Sequence, residues 1–493
     1  MSSVAPAPRS KVAARVALIR ARSGISPLGI LVLPPAAFAY AYYALEAELI
    51  GQSVPAVAIF TTLFVLCGAG MLLRTSTDRL ELFRVFSLYY LMAYCVCALF
   101  EPAISDYVFE DPKPELLEST AWLSLYAYVS IALGYHLPLF RRAPKHVLNR
   151  HDEYSVPLVT ALGLGFFVVG VISFAALFVF AGGAAVILRG EGALQRTEFS
   201  FGLGWYYWAS LFMVPGGALY FAAQTVKRRP LAWLHAWPLF ATFSLLMLLQ
   251  GRHRALGPML VMFYVSNYMI RRLRLPRLAA YAVAGMAVAV VMNAWRSPAL
   301  RGTFAADPVQ STALALEGFS ESSRDELSGA IARIDEVMLV IDHVPDRMPY
   351  DRGESLTIWL NPFRRLIWKD RPQVDNIGNR IYDIARPETR NSPYRTGILP
   401  SIVGEMRANF PALLCFFPYL LYGIAMRLVY QRLILQRADF VSVAAYAILL
   451  FHVCNMVIGT FAQDFFEIMV VVAPVFLCRA LARRRPRHAA SRR

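Results

Sequence analysis

Long apolar stretches recur along this chain and alternate with short polar or basic segments. A stretch of about 20 apolar residues is the length that a helix needs to cross a bilayer core. The stretches are continuous rather than alternating, so they indicate helices and not the strands of a membrane barrel. The pattern predicts twelve transmembrane helices, at residues 27–46, 53–73, 84–104, 119–139, 156–180, 202–224, 231–250, 255–270, 278–295, 410–430, 440–460 and 464–481.

Composition supports this all-α polytopic membrane fold. The chain is 57% hydrophobic and only 17% charged, and its mean hydropathy is +0.47. A soluble domain cannot bury that much apolar surface, so lipid must cover part of it. The predicted organisation is residues 1–295 with helices one to nine, 296–409 as a large extracytoplasmic loop with short helices, and 410–493 with helices ten to twelve and a basic cytoplasmic tail.

The basic residues test this topology, because cytoplasmic loops carry an excess of Lys and Arg. With the basic N-terminus inside, alternation places most other basic clusters inside as well, including the C-terminal tail. Both termini are therefore expected in the cytoplasm, with the chain in the plasma (inner) membrane and the first helix serving as its insertion signal. The net charge of +16 lies mainly beside apolar stretches, where it meets anionic lipid, so nucleic acid is not an expected partner.

The loop 296–409 contains fifteen Arg or Lys and sixteen Asp or Glu, a balance typical of a folded unit that faces water. Residues 321–343 are predicted to form an amphipathic helix, capped by Ser322 or Ser323 with Glu326 reaching back. Its apolar face consists of Leu327, Ile331, Ile334, Met338 and Ile341.

The six cysteines all fall within apolar stretches, and none has the spacing of a metal site. Cys95 and Cys97 are too close for a zinc pair, and small buried hydrophobes are the simpler interpretation. Motifs of soluble enzymes, such as a phosphate-binding glycine loop, are absent from the sequence. Candidate chemistry must therefore come from residues on the predicted outer face.

Arginines on that face are the candidate ligands for an anionic substrate, because the guanidinium fork pairs with phosphate in a bidentate manner. Two of them flank His253 at a hairpin tip, where positive charge is disfavoured unless it has a use. The alternatives are arginines that reach lipid headgroups or pair with nearby carboxylates. The candidates are Arg189, Arg196, Arg252, Arg254, Arg364, Arg365, Arg371 and Arg395.

Glu405 is the first candidate for a general base. It precedes predicted helix ten, where partial desolvation would raise the pKa of its carboxyl group, as a base requires. A salt bridge from Glu405 to Arg407 or to a neighbouring arginine is the structural alternative. His253 is the second candidate, because histidine titrates near neutrality.

Three segments resemble the Wzy-type oligosaccharide repeat-unit (O-antigen) polymerases. The first is Gly182-Gly183 with the following Arg189, and the second runs from Gly353-Glu354-Ser355 to Pro362-Phe363-Arg364-Arg365-Leu366-Ile367-Trp368-Lys369-Asp370-Arg371-Pro372. The third closes on Gly404-Glu405 and Asn409-Phe410, although Pro411 stands where the family often has glycine. About twelve helices and a large outer loop before the last few also fit this family.

The resemblance implies a glycosyltransferase on the outer face of the plasma membrane that works without a metal or other cofactor. Its substrate would be undecaprenyl-diphosphate-linked oligosaccharide, and a chain-length regulator is an expected partner. On this interpretation the arginines stabilise the diphosphate leaving group, while Glu405 or His253 activates the acceptor hydroxyl.

Several alternatives remain open at this stage. An O-antigen ligase would be expected to use a histidine of the large outer loop, where His343 is the only one. A polyprenyl-phosphate sugar transferase would be expected to have acidic residues, often Asp, in the first outer loop, which here has only glutamates. A transporter or flippase for a lipid-linked glycan would need charges along a path through the bilayer, and the predicted helix centres are nearly free of them.

Overall fold

A computed structural model gives the architecture. It describes residues 24–25, 27–47, 50–74, 80–96, 99, 114–137, 153–180, 204–227, 265, 333–357, 376–385, 387, 398–436 and 439–483.

The described part of the chain is almost entirely helical, which confirms the all-α prediction at this level. In the N-terminal half the helices are α1 (Pro27–Glu46), α2 (Val54–Leu72), α3 (Leu82–Leu91), α4 (Pro114–His136), α5 (Val156–Phe180), α6 (Gly204–Ser210) and α7 (Met213–Val226). In the C-terminal half they are α8 (Ile334–His343), α9 (Ile377–Ala385), α10 (Ser401–Asn409), α11 (Phe416–Tyr430), α12 (Phe440–Asn455) and α13 (Phe461–Ala482). A short antiparallel pair joins β1 (Gly24–Ile25) to β2 (Leu73–Arg74).

Several of these helices can cross a membrane. Among the described residues, six continuous helical segments are long and apolar enough to do so. They are Val54–Leu72, Glu115–His136, Val156–Phe180, Trp205–Val226, Ala412–Leu435 and Phe461–Ala482. The segment Trp205–Val226 combines α6 and α7, and Ala412–Leu435 extends α11 at both ends. Large apolar side chains point away from the protein on these surfaces; Leu413 is 82% exposed and Phe476 is 59% exposed. Lipid is the solvent that such a surface requires.

Predicted helices one to six and ten to twelve each overlap a described helix. The predicted helices at 231–250, 255–270 and 278–295 lie outside the described residues, except for the single residue 265, as does most of the loop 296–409. The count of twelve therefore stays a prediction.

Glycines bring helix backbones into contact within the bundle, as is common where membrane helices associate. A Cβ built on Gly423 of α11 would lie 2.1 Å from the backbone oxygen of Ile131 in α4. A Cβ on Gly134 of α4 would lie 2.1 Å from the backbone oxygen of Leu420 in α11. The α4–α11 contact is thus possible only because both positions lack a side chain.

Of the amphipathic helix predicted at 321–343, residues 321–332 lie outside the described residues. Helix α8 begins at Ile334, and Arg333 before it is not helical (φ −138°). The guanidinium of Arg333 donates from Nε to the backbone oxygen of Ile458 at 2.6 Å, a distant contact that sequence periodicity does not contain. Ile334 and Met338 are buried as predicted, whereas the proposed serine cap lies outside the described residues.

Candidate functional site

Helix α10 carries Glu405 and packs between other elements. Its first residue, Ser401, has a left-handed backbone (φ 58°), and its hydroxyl lies 2.5 Å from the hydroxyl of Tyr94. The N–H of Ile402 donates to the backbone oxygen of Met456, just after α12, at 3.0 Å. Pro411 then separates α10 from α11, so the predicted helix ten is preceded by an independent short helix.

Glu405 caps the N-terminus of the last helix. Its side chain is fully buried, and its Oε1 accepts a hydrogen bond from the N–H of Ala462 at 3.1 Å. Ala462 is the second residue of α13, and Thr460 before that helix makes no side-chain capping hydrogen bond. Glu405, which lies 57 residues earlier in the chain, thus accepts a hydrogen bond from a backbone N–H that has no partner within the helix.

Burial raises the pKa of Glu405 to about 8. The backbone of Ala462 and Phe461 at the start of α13 opposes this shift, whereas the negative charges of Asp464 and Asp351 add to it. Desolvation outweighs the hydrogen bonds because the charged form has lost its water. Glu405 therefore exchanges a proton near neutral pH, in agreement with the pKa direction expected from the sequence.

Arg407 is not the partner of Glu405. Its Nη2 donates to the backbone oxygen of Val344 at 3.0 Å, and its guanidinium lies over the ring of Tyr350, 5.2 Å from the centroid. The salt bridge to Glu405 considered as an alternative is therefore not the contact that this arginine makes.

Asn409 joins two of the segments that carry the family resemblance. Its Oδ1 accepts from the N–H of Gly353 at 2.7 Å. Its Nδ2 donates to Oγ of Ser355 at 3.2 Å and to the backbone oxygen of Glu405 at 2.8 Å. The fold thus brings the segment Gly353–Ser355 directly against the end of α10, although about fifty residues separate them in sequence.

Asp351 also holds the segment Gly353–Ser355 in place, from the side opposite Asn409. Its carboxylate is buried and forms an ion pair with Arg380 of α9, and the N–H of Ser355 donates to its Oδ2. The N–H of Asp351 donates to the backbone oxygen of Ala408 at 3.0 Å. Between these anchors, the backbone of Arg352 (φ 51°) is left-handed and its side chain is exposed.

Three further ionisable residues meet where α12 and α13 join. Ligand atoms of His452, Asp464 and Glu467 all lie within 4.8 Å of one another. The three residues are 5%, 1% and 0% exposed respectively. Within the described residues they form the one group whose geometry could hold a metal ion.

The predicted substrate-binding arginines cannot be placed beside Glu405. Arg189, Arg196, Arg252, Arg254, Arg364, Arg365, Arg371 and Arg395 lie outside the described residues, and so does His253. Their roles stay predictions. His343, the histidine that a ligase would need in this loop, is described and is only 2% exposed. Its Nδ1 lies 3.0 Å from the backbone oxygen of Leu339.

We expect Asn409→Ala to loosen the turn at Gly353 without altering the bundle. The substitution removes three hydrogen bonds and leaves the N–H of Gly353 without its acceptor, which should lower the free energy of unfolding by about 2–4 kcal/mol. Thermal unfolding of the purified protein in detergent measures this loss. Thr62→Ala removes one exposed hydrogen bond within α2 and serves as the control that changes little. Equal unfolding temperatures for the two variants would contradict the assigned bonds.

Sequence reasoning missed the group at the α12–α13 junction. None of His452, Asp464 and Glu467 is among the candidate site residues that the sequence suggests. A signal was present: the two carboxylates are three residues apart on one face of α13, and a short turn brings them back to the end of α12.

Comparison with family models, curated proteins and solved structures finds no match for this chain.

Proposed function

We propose that this protein is a membrane glycosyltransferase that polymerises undecaprenyl-diphosphate-linked oligosaccharide repeat units on the outer face of the plasma membrane. The observation that carries the proposal is the position of Glu405, a buried carboxyl group with a pKa of about 8. Through Asn409 it is joined to Gly353 and Ser355, which belong to another segment of the Wzy-type resemblance.

Glu405 acts as the general base in this proposal. Its carboxylate takes the proton from a hydroxyl of the acceptor repeat unit, and that oxygen attacks the anomeric carbon of the donor glycan. A new glycosidic bond forms, while the bond from the anomeric carbon to the diphosphate oxygen breaks. The electron pair leaves with undecaprenyl diphosphate, and direct attack inverts the anomeric centre.

Positive charge near the diphosphate must stabilise this leaving group. The arginines predicted from the sequence supply that charge in the proposal, with Arg252, Arg254 and the cluster around Arg365 as the main group. The prenyl chain lies in lipid against the apolar helix surfaces, and both termini face the cytoplasm. A chain-length regulator is the proposed protein partner.

Reconstitution tests the reaction directly. The purified full-length protein in proteoliposomes receives one lipid-linked repeat unit that serves as both donor and acceptor. We expect glycan chains of two or more units and one undecaprenyl diphosphate released for each new linkage. Release of the diphosphate without chain growth would indicate hydrolysis and contradict the proposal.

The reaction should speed up as pH rises through 8. The base must be ionised, and with a pKa of about 8 only about 1% of Glu405 is ionised at pH 6, whereas half is ionised at pH 8. We therefore expect single-turnover rates to rise about tenfold per pH unit between pH 6 and 7 and to level off above about pH 9. A rate independent of pH over this range would exclude Glu405 as the base.

The raised pKa of Glu405 also affects folding stability, which should decrease with rising pH whereas the reaction rate increases. The folded pKa is raised above the usual value of 4.5, so the folded state holds its proton more tightly than the unfolded state does. The contribution of Glu405 to stability is therefore present at low pH and is lost as pH rises from about 4.5 through 8.

A further inference from the structure

The junction of α12 and α13 gathers two kinds of metal-ligating side chain at one buried point. His452 lies near the end of α12, whereas Asp464 and Glu467 lie in the first two turns of α13. Ligand atoms of the three approach one another within 4.8 Å. Because the residues come from two helices joined by a short turn, the backbone fixes their relative positions.

These distances suit a first-row divalent cation. Bonds of about 2.0–2.2 Å from a metal to imidazole nitrogen and carboxylate oxygen place tetrahedral ligand atoms roughly 3.4 Å apart. The ligand atoms of the three residues all lie within 4.8 Å of one another, so they are about 1 Å or a little more from that separation. Imidazole and carboxylate together favour Zn²⁺ or Mn²⁺ over Mg²⁺, which binds all-oxygen sites.

The chemistry of the side chains also suits a cation. All three residues are buried, and a bound divalent cation would offset the negative charge of ionised carboxylates at such a place. Neighbouring amides orient both carboxylates: Nδ2 of Asn455 donates to Asp464 at 2.8 and 2.9 Å, and Nε2 of Gln463 donates to Glu467 at 3.2 Å. Such outer contacts are what hold ligating carboxylates in place in metal sites.

We propose that His452, Asp464 and Glu467 form a binding site for one divalent transition-metal cation of the Zn²⁺ or Mn²⁺ class. The site departs from the metal-free chemistry that the family resemblance implies. It does not rest on the proposed function, because its evidence is the arrangement of these three side chains and of the amides beside them. Three protein ligands leave the remaining coordination positions of the metal for water or another group.

Metal binding by the full-length protein tests the proposal without measuring activity. The protein, purified in detergent without a histidine tag and stripped with chelator, is titrated with Zn²⁺ and with Mn²⁺ by equilibrium dialysis and elemental analysis. We expect one equivalent per chain for at least one of these metals, with affinity at least tenfold weaker in His452→Gln, Asp464→Asn and Glu467→Gln. Glu115→Gln is the control, because this exposed carboxyl group at the start of α4 is not among the three ligands, and it should keep the binding.

Loading with Co²⁺ provides a second measurement that needs no variant. Visible absorption bands of bound Co²⁺ should appear in the wild-type protein and disappear when Zn²⁺ displaces it. Absence of any saturable binding would overturn the proposal. Binding that all three ligand variants retain at wild-type affinity would overturn it as well, since the metal would then lie elsewhere.

Discussion

Polymer formation should fall by about 100-fold or more in Glu405→Gln, while the protein folds and inserts as before. Glutamine keeps a side-chain oxygen that can accept the hydrogen bond from Ala462, so the cap on α13 survives. It cannot accept a proton in the pH range of the reaction. The measurement is the single-turnover rate of repeat-unit transfer in proteoliposomes, normalised to folded protein.

Glu405→Ala separates the two roles of this side chain. It removes the base and the helix cap together, so it should lose activity and also unfold at a lower temperature than Glu405→Gln. At pH 9 the glutamine variant should be more stable than the wild type, because it no longer buries a charge. If Glu405→Gln polymerises at the wild-type rate, Glu405 is only a helix cap and the proposed mechanism is wrong.

Gly423→Ala should strongly destabilise the bundle. The added methyl group would lie 2.1 Å from the backbone oxygen of Ile131 and 2.9 Å from the backbone nitrogen of Tyr135, so α4 and α11 must separate. Backbone atoms cannot rotate out of the way as a flexible side chain can. Overpacking typically costs roughly 1–3 kcal/mol, and this contact should lie at or above the upper end. Thermal unfolding in detergent measures the change.

Gly165→Ala is the matched control. Gly165 lies in the middle of α5, and a Cβ there meets no heavy atom within 4 Å. Alanine also favours a helix over glycine by about 1 kcal/mol in water, so the control should unfold at the wild-type temperature or slightly above it. A stability of Gly423→Ala equal to that of this control would show that α4 and α11 do not pack as described.

The helices could be predicted from the sequence because their signal is local. A continuous apolar stretch of bilayer length is sufficient, and Val156–Phe180 was located to the residue. The start of α8 at Ile334 could not be predicted, since the contact between Arg333 and Ile458 depends on residues 125 positions apart. The hydrogen bonds of Asn409 to Gly353 and Ser355 could not be predicted for the same reason, because their partners lie 56 and 54 residues earlier in the chain.

The candidate site was predictable only in part. The position of Glu405 beside a predicted membrane helix suggested desolvation and a raised pKa, and the direction of that shift agrees with the structure. Its role as a cap on α13, and the approach of Asp351 and Asp464 that raises its pKa further, arise from tertiary packing. The proximity of His452 to Asp464 and Glu467 could have been predicted only by recognising that α12 and α13 form a helical hairpin. In such a hairpin the end of α12 lies beside the start of α13.

The most direct test of polymerase function is the size distribution of lipid-linked and surface glycans in a strain that lacks this gene. We expect single repeat units to persist on the outer face while the ladder of longer chains disappears. We also expect the wild-type gene to restore the ladder and the Glu405→Gln gene to leave it absent. Long polymer accumulating on its lipid carrier would instead indicate a ligase, and single units confined to the cytoplasmic face would indicate a flippase. Either outcome, or an unchanged ladder, would contradict the proposed polymerase.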